Sequence, residues 1–314
     1  MPELTAKRST RNKTISVSES EARELAPGIL TPADLSGSPL SFADTLVNGD
    51  LTEVLGLLPD SFADLIIADP PYNLSKKFGS RGFSAMPDKR YEDYLRTWFH
   101  GLCSKLKPDG SLYLCGDWRS SSSLQRVMEE ELTIMNRITW QREKGRGAAA
   151  NWKNGMEDIW FGVRDPEHYW FDLEAVKLKR RVIAPYRENG LPKDWEDTPD
   201  GPFRLTCPSN FWDDISIPFW SMPENTDHPA QKPEKLMAKL ILASCPPGGV
   251  VFEPFAGSGS ACVTAKKLGR HYVGVEIDRG YCLVAAKRLR IADTDRRIQG
   301  YDGVYFRERN CMRD

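Results

Sequence analysis

The chain has no CxxC pair and only four, unclustered histidines, and its seven cysteines (103, 115, 207, 245, 262, 282 and 311) form an odd, scattered set. This argues against a disulfide framework and against a zinc centre, since each needs ligands at set spacings. Reduced core thiols of a cytoplasmic protein are the expected alternative. No apolar run reaches the roughly 20 residues of a membrane span. Residues 1–8 lack the apolar core of a secretory signal. A large charge excess is missing too, with 43 Lys and Arg against 44 Asp and Glu.

The even total hides an uneven spread. Residues 137–193 hold 12 Lys/Arg and 8 Asp/Glu, whereas residues 194–227 hold 1 and 8. A local basic face is enough to meet phosphates, so near-neutrality does not exclude a nucleic-acid partner. A solvated surface accounts for the same asymmetry. Residues 1–40 are polar, without apolar periodicity, and read as a loosely packed arm. Beyond them, apolar runs at 45–50, 63–68, 111–116, 137–140, 250–252 and 272–276 read as strands. Helical patterns at 51–58, 91–106, 124–131, 234–244, 262–268 and 281–290 alternate with them. That alternation predicts an α/β fold, a doubly wound and mostly parallel sheet. Residues 143–225 break the rhythm: they hold many prolines, four of the nine tryptophans between 160 and 212, and one clear strand at 156–163. We read four segments: an arm (1–40), a first half of the sheet domain (41–142), a recognition region (143–227) and a second half (228–314).

Two strand ends carry the chemistry. Strand 63–68 delivers Asp69-Pro70-Pro71-Tyr72-Asn73-Leu74 to its C-terminal end, where open α/β sheets bind ligands. The two prolines remove backbone donors and keep the turn from relaxing into helix. A rigid turn can aim the Asp69 carboxylate, while Tyr72 offers a face for a planar base. Such a set suits an amine on an aromatic ring, held by acceptors while its nitrogen attacks an electrophilic methyl. Far downstream, strand 250–252 runs into Phe255-Ala256-Gly257-Ser258-Gly259, a turn that brings backbone N–H groups to a ligand. Seventeen residues past Gly259, Glu276 ends the next strand, where a carboxylate can hold both hydroxyls of a ribose. Together they imply a nucleoside cofactor. Cys262 stands where a third glycine of the dinucleotide fingerprint would fall, which weakens the case for NAD or FAD.

These motifs resemble the permuted, β-class DNA amino-methyltransferases that use S-adenosylmethionine. The resemblance covers about residues 45–290 and rests on Asn48-Gly49-Asp50, the Asp69–Leu74 run, His228-Pro229-Ala230-Gln231-Lys232-Pro233, the glycine turn and Val273-Gly274-Val275-Glu276. Their order, catalytic motif before recognition region before cofactor turn, is also that family's. The resemblance implies a Rossmann-like domain with circularly permuted motifs. Asp69, with the Pro70 carbonyl, would hold the target amine; Pro71 completes the motif and Tyr72 stacks on the base. Asp50, Asp69, Gln231, Lys232, Phe255, Gly257, Ser258, Gly259 and Glu276 would meet the cofactor. Double-stranded DNA would be the partner, with a homodimer and a cognate restriction endonuclease as further expectations. The family commonly has Thr at Ala230 and Asp at Glu253.

A base inside a duplex would have to be flipped out. Lys76, Lys77 and Arg81, just after Tyr72, are candidates for the phosphates around it. Arg142, Arg146, Asn151, Asn154, Arg180 and Arg181 are candidates for groove or phosphate contacts. The Asp-Pro-Pro-Tyr form favours adenine N6 over cytosine N4 within the family. Against these stand an RNA or protein-glutamine methyltransferase, whose motifs run in the opposite order, and a non-catalytic DNA-binding scaffold. Ring-carbon methylation would need a Pro-Cys nucleophile, but Cys207-Pro208 and Cys245-Pro246 are reversed.

Overall fold

Ile66 and Ala68 point to one side of strand Ala63–Ala68 and Leu65 and Ile67 to the other, and each pair joins a different buried cluster. A strand buried on both faces belongs in the middle of a sheet covered by helices. In the computed structural model, which describes residues 10–35, 43–78, 81–142, 152–183, 186–199 and 201–308, it does. The eight-stranded sheet runs in the order Thr45–Asn48, His271–Glu276, Val250–Glu253, Ala63–Ala68, Leu106–Gly116, Met156–Val163, Thr133–Gln141, Phe211–Trp212. The first five strands are mutually parallel. Met156–Val163 is antiparallel to both neighbours, and Phe211–Trp212 pairs parallel with the edge. Helices Asp88–Ser104 and Ser121–Glu129 cover one face; Glu234–Ser244 and Ser260–Lys267 cover the other. Among the described residues no helix is long and apolar enough to cross a membrane.

The late strand Val250–Glu253 lies beside the early strand Ala63–Ala68, with Val251 opposite Leu65 and Phe252 opposite Ile66. Parallel neighbours end at the same edge, so the turns after residues 68 and 253 emerge side by side. That pairing joins two motifs nearly two hundred residues apart.

One of the expected segments needs correction. The arm is packed over residues 10–35: Ser18 and Glu21 form a capping box on helix Glu19–Leu25, and Leu25, Ile29 and Leu35 are buried. Leu30 exchanges backbone hydrogen bonds with Leu46 and Asn48. Its polar sequence hides these few apolar anchors. Within residues 143–227, Met156–Val163 and Phe211–Trp212 are strands of the central sheet. What lies apart is a four-stranded sheet, Glu196–Thr198, Gly201–Thr206, Leu178–Arg181 and Phe306–Arg307, whose last strand comes from the C-terminal segment. The six described cysteines are free.

Candidate active site

Asp69 leaves the central strand with both carboxylate oxygens engaged. The Tyr72 hydroxyl donates to Oδ1 at 2.7 Å, and Lys232 Nζ donates to Oδ2 at 2.5 Å. Pro71 supplies the carbonyl that Tyr91 bonds at 2.9 Å, which ties the turn to helix Asp88–Ser104. Asn73 anchors the far side through Met86 and Ser120. The proline turn is therefore fixed at both ends, as a strand end that must aim a carboxylate requires.

Lys232 is buried, just ahead of helix Glu234–Ser244, with Pro233 at its N-cap. Its ammonium also stands 3.4 Å from Glu157 Oε2 and 5.4 Å from the centre of the Tyr72 ring. Burial lowers the pKa of such a lysine, but attraction to Asp69 and Glu157 more than offsets it, so the net shift is upward. The Lys232 carbonyl accepts from Ser260 Oγ at 2.8 Å, so one residue touches both the proline turn and the start of the helix after the glycine turn.

In that turn Gly257 (φ 52°) and Gly259 (φ 73°) are both left-handed. A Cβ on Gly257 would come within 2.9 Å of the His228 ring, and one on Gly259 within 2.9 Å of Ala285. Glu276 accepts from the N–H groups of Gly257 and Asp278, each at 2.7 Å. Burial raises its pKa above the ordinary carboxylate value. Glu253 reaches the amides of Ala261 and Cys262 at 3.0 and 2.9 Å, capping helix Ser260–Lys267, and burial pushes its pKa up to about 7. The extra methylene relative to Asp spans that gap. His228 packs edge-on to Tyr281 at 4.4 Å, and burial holds its imidazole down at about 4.

Asp69, Tyr72, Lys232, Gly257, His228, Glu253 and Glu276 line one cavity of about 480 Å³. It runs from Asp69–Tyr72 past Lys232 to Phe255–Ser258, Glu276 and Asp50. Asp50 caps helix Leu51–Leu55 through Thr52 and is exposed on the cavity side. Gln231 lines the wall, but its amide is spent on Thr226 and the Glu224 carbonyl. The Ser258 side chain turns toward Arg288 at 3.3 Å, and Gly259 shapes the turn from behind the wall. A nucleoside fits this arrangement: a tight glycine turn borders the cavity, and a carboxylate stands at the adjacent strand end.

Of the residues expected to contact DNA, Lys76 and Arg142 line the cavity. Lys76 donates to the Pro229 carbonyl at 3.2 Å. Arg142 is ion-paired with Glu157 at 2.5 Å. Asn154 also lines the wall. Lys77 and Arg81 sit on the two strands of the hairpin that follows Tyr72. Arg180 and Arg181 lie outside the cavity wall on strand Leu178–Arg181; Arg180 is 4.0 Å from Glu308 and Arg181 is exposed. Arg146 and Asn151 fall outside the described residues. Sequence reasoning missed Glu157, Asp117, Trp140 and Trp98, all in the wall. For Glu157 a signal existed: two acids, Glu157 and Asp158, open an otherwise apolar strand, and both are buried.

Residues 63–287 match the family described as DNA methylase. The chain is 31% identical over 261 residues to the DNA adenine methyltransferase YhdJ of Escherichia coli (strain K12), covering 80% of this chain and 84% of that protein. It is 29% identical over 272 residues to the type II methyltransferase M.HpaI of Haemophilus parainfluenzae, covering 86% and 80%. Its fold is similar to that of the PvuII DNA methyltransferase (cytosine-N4-specific), with a TM-score of 0.58 at 18% identity over 77% of this chain and 84% of that one.

Proposed function

The chain belongs to the DNA methylase family, whose methyl donor is S-adenosylmethionine, and from that premise we propose that it methylates the N6 amine of adenine extruded from double-stranded DNA. The observation that carries the reading is the Asp69–Tyr72 turn and the Phe255–Gly259 turn opening into one cavity, with Lys232 bonded to Asp69 in the first and to Ser260 directly after the second. Extrusion costs a few kcal/mol, and the cavity repays it with the Tyr72 face and the acceptors around Asp69.

The cofactor supplies an electrophilic methyl group. This chain's own residues bind and orient. Glu276 would take the ribose hydroxyls, with the turn around Gly257 and Ser258 beside it. Phe255 packs on Trp98 at 4.9 Å, edge to face, and gives the cleft an apolar wall. Asp50 would face the adenine amine of the cofactor, and Lys232 its methionine end. Asp69 and the Pro70 carbonyl would accept hydrogen bonds from the two N–H groups of the target amine, drawing its lone pair out of conjugation. Catalysis then rests on positioning and exclusion of water, with no covalent enzyme intermediate.

Adenine is favoured by the Asp-Pro-Pro-Tyr form and by the stated substrate of the Escherichia coli relative. A cytosine N4 amine would meet the same acceptors. Treating unmethylated genomic DNA with the enzyme and methyl-labelled cofactor, then digesting it to deoxynucleosides, separates them: labelled N6-methyldeoxyadenosine is expected, and labelled N4-methyldeoxycytidine would overturn the assignment. An Asp69→Ala variant that binds cofactor should lose transfer; unchanged transfer would sink the catalytic reading. A homodimer and a cognate restriction endonuclease belong to the same proposal. Sedimentation, and protection of methylated host DNA against a co-expressed nuclease, test them.

A further inference from the structure

Both oxygens of Asp69 are occupied in the structure, yet the proposed reaction asks them to receive a target amine. Lys232 holds one and Tyr72 the other. A buried ammonium cannot simply be released, because an unpaired charge in the interior costs several kcal/mol. It needs a second acceptor in reach.

Glu157 is that acceptor. It stands near the start of strand Met156–Val163, across the cavity from the catalytic turn, and is buried. Its Oε2 lies 3.4 Å from Lys232 Nζ, against 2.5 Å for Asp69 Oδ2. Less than an ångström of movement by the flexible lysine head would exchange one partner for the other. Its other oxygen, Oε1, is fixed by Arg142 at 2.5 Å, so the carboxylate stays in place while the lysine moves. The same Oε2 lies 3.3 Å from the Tyr72 hydroxyl. Two carboxylates face two cations, so the charge count is unchanged by the exchange.

We propose that Glu157 is a positioning residue that takes over the Lys232 ammonium when substrate arrives, freeing an Asp69 oxygen for the target amine. In the empty site Lys232 caps the catalytic carboxylate; in the loaded site it rests on Glu157. The idea rests on the catalytic role assigned to Asp69 above. It goes beyond that role in giving the reaction a second carboxylate that never touches the transferred methyl.

The test is Glu157→Gln, assayed on unmethylated genomic DNA with labelled S-adenosylmethionine, beside calorimetric binding of the cofactor alone. The expected result is a kcat reduced by about tenfold or more, with cofactor affinity changed by less than about threefold. A kcat equal to wild type, or a loss in affinity that matches the loss in kcat, overturns the proposal. Should Glu157→Gln not fold, Glu157→Asp serves: it keeps the charge opposite Arg142 but withdraws the oxygens from Lys232, and it carries the same two outcomes. Combination with Lys232→Gln adds a check, because without the ammonium there is nothing to hand over. The double variant should be no slower than the slower single one, and multiplied losses overturn the hand-over. If Asp69→Ala remains active, the catalytic reading fails; if Asp69→Ala is inactive while Glu157→Gln is fully active, only the present inference fails.

Discussion

Gly257 is held by two independent constraints, its positive φ and the His228 ring that would meet a Cβ at 2.9 Å. Gly257→Ala therefore costs about 1–2 kcal/mol of backbone strain and also pushes His228 from its place. The expected outcome is a modest fall in Tm with a larger fall in cofactor affinity, read by calorimetry. His228 makes a second prediction. Its folded pKa is about 4, below the ordinary 6.5, so between those values the unfolded chain binds a proton that the folded one refuses. The stability this contributes is present above pH 6.5 and is lost as pH falls toward 4. Melting curves across that range should show an acid-side decline that is shallower in His228→Asn. At this scale the sequence was most readable where a residue type is forced: Asp69, Gly257 and Gly259 all fall in or directly behind one cavity wall. It was least readable for Gln231 and Ser258, because nothing in a linear pattern says that Thr226 or Arg288 will occupy their polar atoms.

Helices and strands were legible where one periodicity dominates. Helix Glu234–Ser244 follows from Pro233 and an apolar run, and strand Ala63–Ala68 from a run buried on both faces. Helix Glu19–Leu25 was not, since a seven-residue element with one buried side chain leaves almost no apolar signal. Its hold on the domain is mostly polar: Lys287 bonds Glu21 at 2.6 Å and the Ser16 carbonyl at 2.7 Å, while Asn225 bonds Thr14 at 2.8 Å. Those contacts brace the segment leading to His228, whose ring borders the glycine turn. Removal of residues 1–17 should therefore weaken cofactor binding more than it lowers Tm. Equal binding by the shortened and full chains would dismiss the strut. Glu253 acts at the same scale, joining a strand end to the next helix through two amides. Glu253→Asp, though it restores the common family residue, withdraws the carboxylate from both and should cost about 1–2 kcal/mol in denaturant unfolding.

At the scale of the whole chain, what needs explaining is how the far end of the segment between the two halves is tied to helix Glu234–Ser244 and to the C-terminal strand. No sequence pattern announced it, because the bond is a buried charge cluster drawn from three distant stretches. Asp214, just past strand Phe211–Trp212, accepts from Lys239 at 2.8 and 2.9 Å and pairs with Lys235 at 2.8 Å, both on helix Glu234–Ser244. Lys235 also bonds the Arg307 carbonyl, and Lys239 lies 4.9 Å from the Trp212 ring and 5.7 Å from that of Phe306. Three side chains thereby join the middle segment, the helix after Lys232 and the C-terminal strand. Burial holds Lys239 down at about 8 even with Asp214 beside it, so the cluster has little charge balance to spare. Asp214→Asn leaves two buried ammonium groups against a neutral amide, which should cost ~3–5 kcal/mol in denaturant unfolding. Lys232, which pairs with Asp69, stands just ahead of the same helix, so kcat should fall along with stability. The double variant Asp214→Asn with Lys239→Met removes one of the stranded charges, and it should recover part of both losses. Recovery of stability without recovery of kcat would mean that the cluster holds the fold but does not set the site.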